Sequence, residues 1–155
     1  MESELRVRKI RSGTVIDHIP RGRALVVTRI LGITGEEEDT VLIAINVPSV
    51  KLGRKDIVKV ENRYLREEEV NKIALVAPTA TINIIKEYKV DKKWRVKIPK
   101  VLKGIIKCPN YRCITNRKGE KVESKFLLKG EKPLKLVCAY CDAIVREEEV
   151  LELVI

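Results

Sequence analysis

The chain has 155 residues, 45% hydrophobic and 35% charged, with 32 Lys and Arg against 22 Asp and Glu for a formal charge of +10. That is a globular composition, long enough for one ordinary core or two small ones. No apolar run approaches the roughly 18 residues of a membrane span, and the opening MESELRVRKIR has no apolar signal region, so no membrane partner and a cytoplasmic setting are expected. The basic excess favours anionic partners, yet it is spread along the chain, with acidic runs at Glu36-Glu37-Glu38 and Glu67-Glu68-Glu69 between the cations. The absence of Gln, the single Met and the abundance of Ile, Val, Lys, Arg and Glu match the bias of proteins from hot environments.

Leu5 to Ile10 alternates apolar and basic residues, as a half-exposed strand does. A turn at Arg11-Ser12-Gly13 leads into the β-rich Thr14–Ile19, which ends on Asp17 and His18. Pro20 suits the first turn of a helix, and Ala24, Leu25, Val27, Thr28 and Leu31 give that helix one apolar face, closed by Gly32 or Gly35. Val41 to Val47 is short and nearly all apolar, the pattern of a central strand. Pro48 opens a loop through Gly53, and Asp56 to Glu61 alternates as a further strand. A second helix begins near Leu65, with acids in its first turn, and is stopped by Pro78. Thr79 to Ile85 then reads as a strand, with Tyr88-Lys89-Val90 continuing extended.

Strand, helix, strand, strand, helix, strand is the split βαβ, ferredoxin-like order: an α+β domain with an antiparallel sheet and two helices. Asp91 to Lys103 is basic and poorly periodic and reads as a linker. The expected domains are 1–98 and 99–155, the second a small all-β module with turns at Lys118-Gly119 and Lys129-Gly130.

That second domain holds all four cysteines, as C-P-N-Y-R-C and C-A-Y-C with 24 residues between Cys113 and Cys138. Two short turns, each carrying two thiolates, supply the tetrahedral corners that zinc requires. Cys108, Cys113, Cys138 and Cys141 are therefore the candidate ligands of one structural Zn2+. Four sulfur ligands leave no open position for water, so such a centre does not catalyse. Two disulfides would need an oxidising compartment. A redox C-x-x-C at Cys138 and Cys141 would leave Cys108 and Cys113 unexplained.

Elsewhere no serine or cysteine stands beside Asp17 and His18 as a nucleophile, and no glycine-rich phosphate loop occurs, so a free-standing enzyme is disfavoured. On spacing alone, Asp-His is an ordinary turn pair and Lys59, Lys92 and Lys93 are solvated lysines. A nucleic-acid-binding zinc ribbon is the rival reading, supported by the pI near 9.5. One Phe and one Trp leave it few stacking platforms, so nucleic acid is not the expected partner.

Four blocks carry a more specific signal: T-V-I-D-H-I-P at 14–20, G-R-K-D at 53–56 followed by Lys59-Val60-Glu61-Asn62, A-P-x-A-T-x-N at 77–83, and C-P-N-x-x-C…C-x-x-C from 108. In that order, over essentially the whole chain, they resemble the regulatory chain of aspartate carbamoyltransferase. The resemblance implies a non-catalytic subunit of pyrimidine biosynthesis, with an N-terminal allosteric nucleotide-binding domain and a C-terminal zinc domain. Its implied partners are a second regulatory chain, in a homodimer, and the catalytic trimers that such dimers bridge. The implied effectors are CTP and ATP, with UTP a further candidate.

By motif match, ribose and phosphates would meet Asp17, His18, Lys59 and Lys93, with Asn83 nearby. Backbone groups around Ile10, Ile85, Tyr88 and Val90 would read the base, and Val7 would stand beside the pocket. The chemistry is compatible, since lysines suit a triphosphate and a carboxylate suits ribose hydroxyls. Asn110 and Arg112, between the first two cysteines, are the implied contacts to the catalytic chain. Arg8, Lys9 and the pair Asp91-Lys92 are charges that relatives need not carry, and they border the implied pocket.

Overall fold

The computed structural model describes residues 9–155, so Val7 and Arg8, with most of the expected first strand, lie outside the described residues. The chain divides into two compact units, the first ending at Lys97 and the second running from Ile98 to Ile155.

The first unit is a five-stranded sheet with two helices. Its strands are β1 (Gly13–Pro20), β2 (Val41–Ser49), β3 (Gly53–Glu61), β4 (Thr81–Lys86) and β5 (Lys89–Arg95), in the order β2-β3-β1-β4-β5. All the pairings are antiparallel. The first four strands and the helices α1 (Ala24–Ile30) and α2 (Glu67–Val76) thus form the expected ferredoxin-like arrangement.

Cross-strand partners share a face. Ile16 pairs with Val58 and with Ile82, and all three are fully buried. Val27, Ile73 and Val76 of the helices are equally buried and complete this core. Burial of each such side chain is worth about 2 kcal/mol.

The start of α1 depends on a residue far away in sequence. The Asp56 carboxylate, wholly buried, accepts the Gly22 and Ala24 N–H groups at 2.9 and 3.0 Å and the Asn46 N–H at 2.9 Å. It satisfies donors that the helix itself leaves unpaired. Pro20 consequently ends β1 instead of opening the helix, correcting the sequence-based placement. Gly32, at φ 69°, closes α1, its N–H donating to the Arg29 carbonyl. In α2 the Glu69 carboxylate caps the Arg66 N–H at 3.0 Å and pairs with Arg63 at 2.6 Å. These contacts hold its carboxyl below the ordinary range although burial opposes them.

Two further expectations are corrected. Val41–Val47 lies in an edge strand, not a central one, and Ile43 and Ile45 are 41% and 51% exposed. Apolarity on both faces came from surface left uncovered within this chain, not from burial. The supposed linker from Asp91 contains most of β5, and Val101–Lys103 forms β6 of the second unit. Every residue of β5 is exposed, so its charged composition hid a strand. Such charges are characteristic of sheet edges, where they discourage pairing with another chain.

The second unit is a four-stranded antiparallel sheet, β6-β7-β8-β9, with β7 at Lys125–Glu131, β8 at Leu134–Cys138 and β9 at Ile144–Arg146. Leu102, Phe126, Leu136 and Val145 are its buried centre. The expected turn at Lys129-Gly130 is instead a bulge inside β7, and the chain reverses at Lys132-Pro133. The tail forms a short helix, α3 (Glu147–Leu153), whose Val150 is buried. Among the described residues, no helix is long and apolar enough to cross a membrane.

Candidate functional site

The cysteines converge. Cys108 precedes the first loop, Cys113 closes it, Cys138 ends β8 and Cys141 follows in a tight turn. Their sulfurs all lie within 4.8 Å of one another, with Cys108–Cys141 at 3.5 Å and Cys113–Cys138 at 3.8 Å. Four thiolates about 2.3 Å from one tetrahedral ion stand about 3.8 Å apart, so the cluster fits such an ion.

The loops are built to present sulfur. Asn116 Nδ2 donates to the Cys108 and Asn110 carbonyls at 2.8 Å each, the Thr115 hydroxyl donates to Cys113 Sγ at 3.2 Å, and Cys138 N–H donates to the Ala143 carbonyl at 2.8 Å. Asp142, at φ 63°, makes the sharp turn that returns the chain to β9. Burial pushes the Cys108 and Cys138 thiols up, against backbone N–H groups that point at them. Cys141 is brought down to about 7: burial opposes this, but the Asn110 side chain and the Ala143 N–H outweigh it. A dication would reverse the cost of gathering these sulfurs and hold them as thiolates.

The first unit concentrates charge on the sheet face opposite the helices. Val15 pairs with both Lys59 and Asn83, and Asn83 pairs with Lys93, so one row crosses β3, β1, β4 and β5. Two residues along β1, Asp17 stands opposite Thr81 and binds Lys55 Nζ at 2.9 Å. At the other end Ile85 faces Gly13 and Val90. The sheet therefore brings Asp17, Lys59, Asn83, Ile85, Val90 and Lys93, drawn from four strands, onto one surface.

A break in register at Asp17-His18 turns His18 out at φ 55°. Its N–H donates to Asp17 Oδ1 at 2.6 Å, its Nδ1 lies 3.0 Å from the Thr81 hydroxyl, and its carbonyl accepts from Thr79. Burial lowers the His18 pKa, Asp17 opposes that, and Lys55, Lys51 and Lys93 lower it further. Lys59 is 8% exposed, and its desolvation lowers its pKa. Four lysines thus crowd one histidine and one aspartate. Lys51 and Lys55 were missed in the sequence, although Lys55 lies within the G-R-K-D block. Lys51 sits in the turn between β2 and β3, and Lys55 near the start of β3, where it stands opposite Pro20 of β1.

Ile10 is buried, while Tyr88 and Val90 are exposed. The Tyr88 N–H already donates to the Arg11 carbonyl at 2.9 Å. Tyr88 can therefore offer a ligand its carbonyl as an acceptor. Of the loop pair, Arg112 lies over the Tyr111 ring, 5.6 Å from its centroid, whereas Asn110 turns inward, accepting the Arg112 N–H at 3.0 Å.

Residues 5–97 match the family described as the aspartate carbamoyltransferase regulatory chain, allosteric domain, and residues 100–151 match the metal binding domain of the same chain. Among similar curated proteins, the aspartate carbamoyltransferase regulatory chain of Korarchaeum cryptofilum is 55% identical, over 98% of this chain and 97% of its own. That of Thermofilum pendens is 56% identical, over 98% and 96%, and that of Pyrococcus horikoshii 57%, over 96% and 97%. With both units matched in order and the relatives aligned end to end, this chain belongs to the family of aspartate carbamoyltransferase regulatory chains, non-catalytic subunits with an allosteric and a metal-binding domain.

Proposed function

We propose that this regulatory chain binds nucleoside triphosphates on the charged sheet face of its first unit and passes their effect to the catalytic trimers through a zinc-bearing second unit. The observation that carries the reading is the convergence of Lys51, Lys55, Lys59 and Lys93 around Asp17 and His18. Lysine ammoniums are point charges suited to a polyphosphate. Asp17 would hold ribose hydroxyls once a phosphate draws Lys55 away, and Lys59 and Asn83 would lie between sugar and phosphates. The Tyr88 carbonyl, with backbone groups at Ile10, Ile85 and Val90, would accept from an exocyclic amino group, which cytosine and adenine have and uracil lacks. CTP and ATP are the favoured effectors.

Zinc is the favoured metal because four sulfurs at tetrahedral spacing suit it, and their closed set makes its role structural. Arg112 at the exposed loop would contact the catalytic chain, with Asn110 setting the loop's shape. The apolar edge of β2, with Ile43 and Ile45 exposed, supports pairing of two regulatory chains. The setting is the cytoplasm, in pyrimidine biosynthesis, and the composition favours a hot environment.

Calorimetric titration of CTP, ATP and UTP into the zinc-loaded protein, beside Lys93→Ala, tests the pocket. The expected result is saturable binding that ranks CTP and ATP above UTP and weakens in the variant. Absence of nucleotide binding, with salt-sensitive binding to RNA instead, would overturn the proposal.

A further inference from the structure

We infer that Asn116, which supplies no ligand atom, is the positioning residue of the metal centre: its side-chain amide fixes the loop between Cys108 and Cys113 and so sets how slowly a bound metal leaves. The inference rests on the reading of the four sulfurs as a zinc site.

The two cysteine loops are held differently. In C-A-Y-C two residues separate the ligands, and backbone groups close the loop unaided. Asp142 N–H donates to the Cys138 carbonyl at 3.0 Å, and Cys138 N–H to the Ala143 carbonyl at 2.8 Å. In C-P-N-Y-R-C four residues separate the ligands, so more backbone must be ordered to present the pair. The residue after the first ligand is Pro109, which has no N–H to offer a sulfur or a carbonyl. The backbone bond from Cys113 N–H to the Asn110 carbonyl, at 2.9 Å, spans only the far half of this loop.

Asn116 supplies what is missing. It ends a single 3-10 turn, Ile114–Asn116, that begins directly after Cys113, and its own N–H donates to the Cys113 carbonyl at 2.9 Å. From there Nδ2 reaches back to the Cys108 and Asn110 carbonyls, at 2.8 Å each. The first ligand, the middle of the loop and the second ligand are thereby tied to one residue.

The side-chain chemistry is demanding. Both partners of Nδ2 are carbonyl oxygens, which only accept, so two donors on one atom are needed. An aspartate of the same shape would set a carboxylate against them. Thr115 acts on one sulfur alone, its hydroxyl donating to Cys113 Sγ at 3.2 Å. Removing a group that orients metal ligands typically costs about 10- to 100-fold in metal affinity.

The test uses the full-length chain loaded with Zn2+ or with Co2+. Zinc release to a chromogenic chelator is timed, and the cobalt absorption spectrum reports the ligand geometry. The variants are Asn116→Asp, Asn116→Leu and Thr115→Val, with Leu136→Ala as a truncation in the buried centre of the same unit. Both Asn116 variants are expected to release zinc at least about tenfold faster, Asn116→Asp the faster of the two, and to alter the cobalt spectrum. Thr115→Val should accelerate release less than either. Leu136→Ala should lower the unfolding temperature yet keep the parental spectrum, which separates positioning from general loosening. If Asn116→Leu folds too poorly to load, the isosteric Asn116→Asp decides, and its failure to hold metal while Leu136→Ala stays loaded is the expected result at its limit. Parental release and spectra in the Asn116 variants, or the same spectral change in Leu136→Ala, would overturn the positioning role and leave the zinc reading intact. A parent chain that binds no zinc would overturn both.

Discussion

The two units differ in how they build a site. In the second, four like ligands come from two local turns and meet within 4.8 Å, so the site is closed and its chemistry is decided by the donor set. In the first, the candidate residues come one or two at a time from four strands and meet only because β3, β1, β4 and β5 lie side by side. The closed site holds a fold. The open one is a charged surface whose balance a ligand can change, as an allosteric domain requires.

The largest effect expected from this contrast follows metal removal. Structural zinc contributes about 10–16 kcal/mol to small metal domains, and the second unit has only 58 residues, 98–155, to build a core. Chelation, or Cys138→Ser, is expected to abolish the second unit's thermal transition while the first unit keeps its own. A single transition lost as a whole would show that the units do not fold separately.

The counterpart in the first unit is Asp56→Ala, which leaves three N–H donors around a buried void. A loss of about 3 kcal/mol is expected in denaturant unfolding, with zinc content unchanged. For nucleotide binding, Lys59→Ala should weaken CTP by more than tenfold and Lys93→Ala by less, because Lys59 is 8% exposed and Lys93 lies on the exposed β5 edge. Charge pairs strengthen as water is excluded. Equal losses would mean that burial does not rank these lysines.

The smallest effect is on pH dependence. His18 begins with a lowered pKa, and a bound phosphate would raise it, so binding takes up protons and tightens as pH falls through the His18 range. A rise of half a pKa unit corresponds to about threefold in affinity. His18→Asn should flatten the profile to that of the triphosphate itself.

Legibility in the sequence follows the same division. The metal site was visible because its ligands are paired at short, chemically specific spacings. The two helices of the first unit and its first four strands were visible from periodicity, and the resemblance supplied positions across the sheet, whereas the C-terminal helix α3 was not foreseen in a module expected to be all β. Three features escaped for physical reasons. β5 was hidden beyond Val90 because an edge strand with every side chain exposed has no apolar alternation to read. The start of α1 was misplaced because its cap, Asp56, is 32 residues from Ala24. β2 was read as central because its apolar residues suggested burial, yet at the sheet edge Ile43, opposite the buried Val58, and Ile45 stay 41% and 51% exposed. Lys51 and Lys55 were missed for a related reason: a lysine in a turn or at the start of a strand gains meaning only when it is seen to approach His18.

The most direct test of the account couples both units to catalysis. The zinc-loaded chain is combined with the catalytic trimer, and aspartate saturation is measured with and without CTP and ATP. Each nucleotide should shift the saturation curve only when the regulatory chain is present, and Lys59→Ala should remove the shift while leaving assembly intact. A curve unmoved by either nucleotide in the assembled complex, or moved equally without the regulatory chain, would contradict the account.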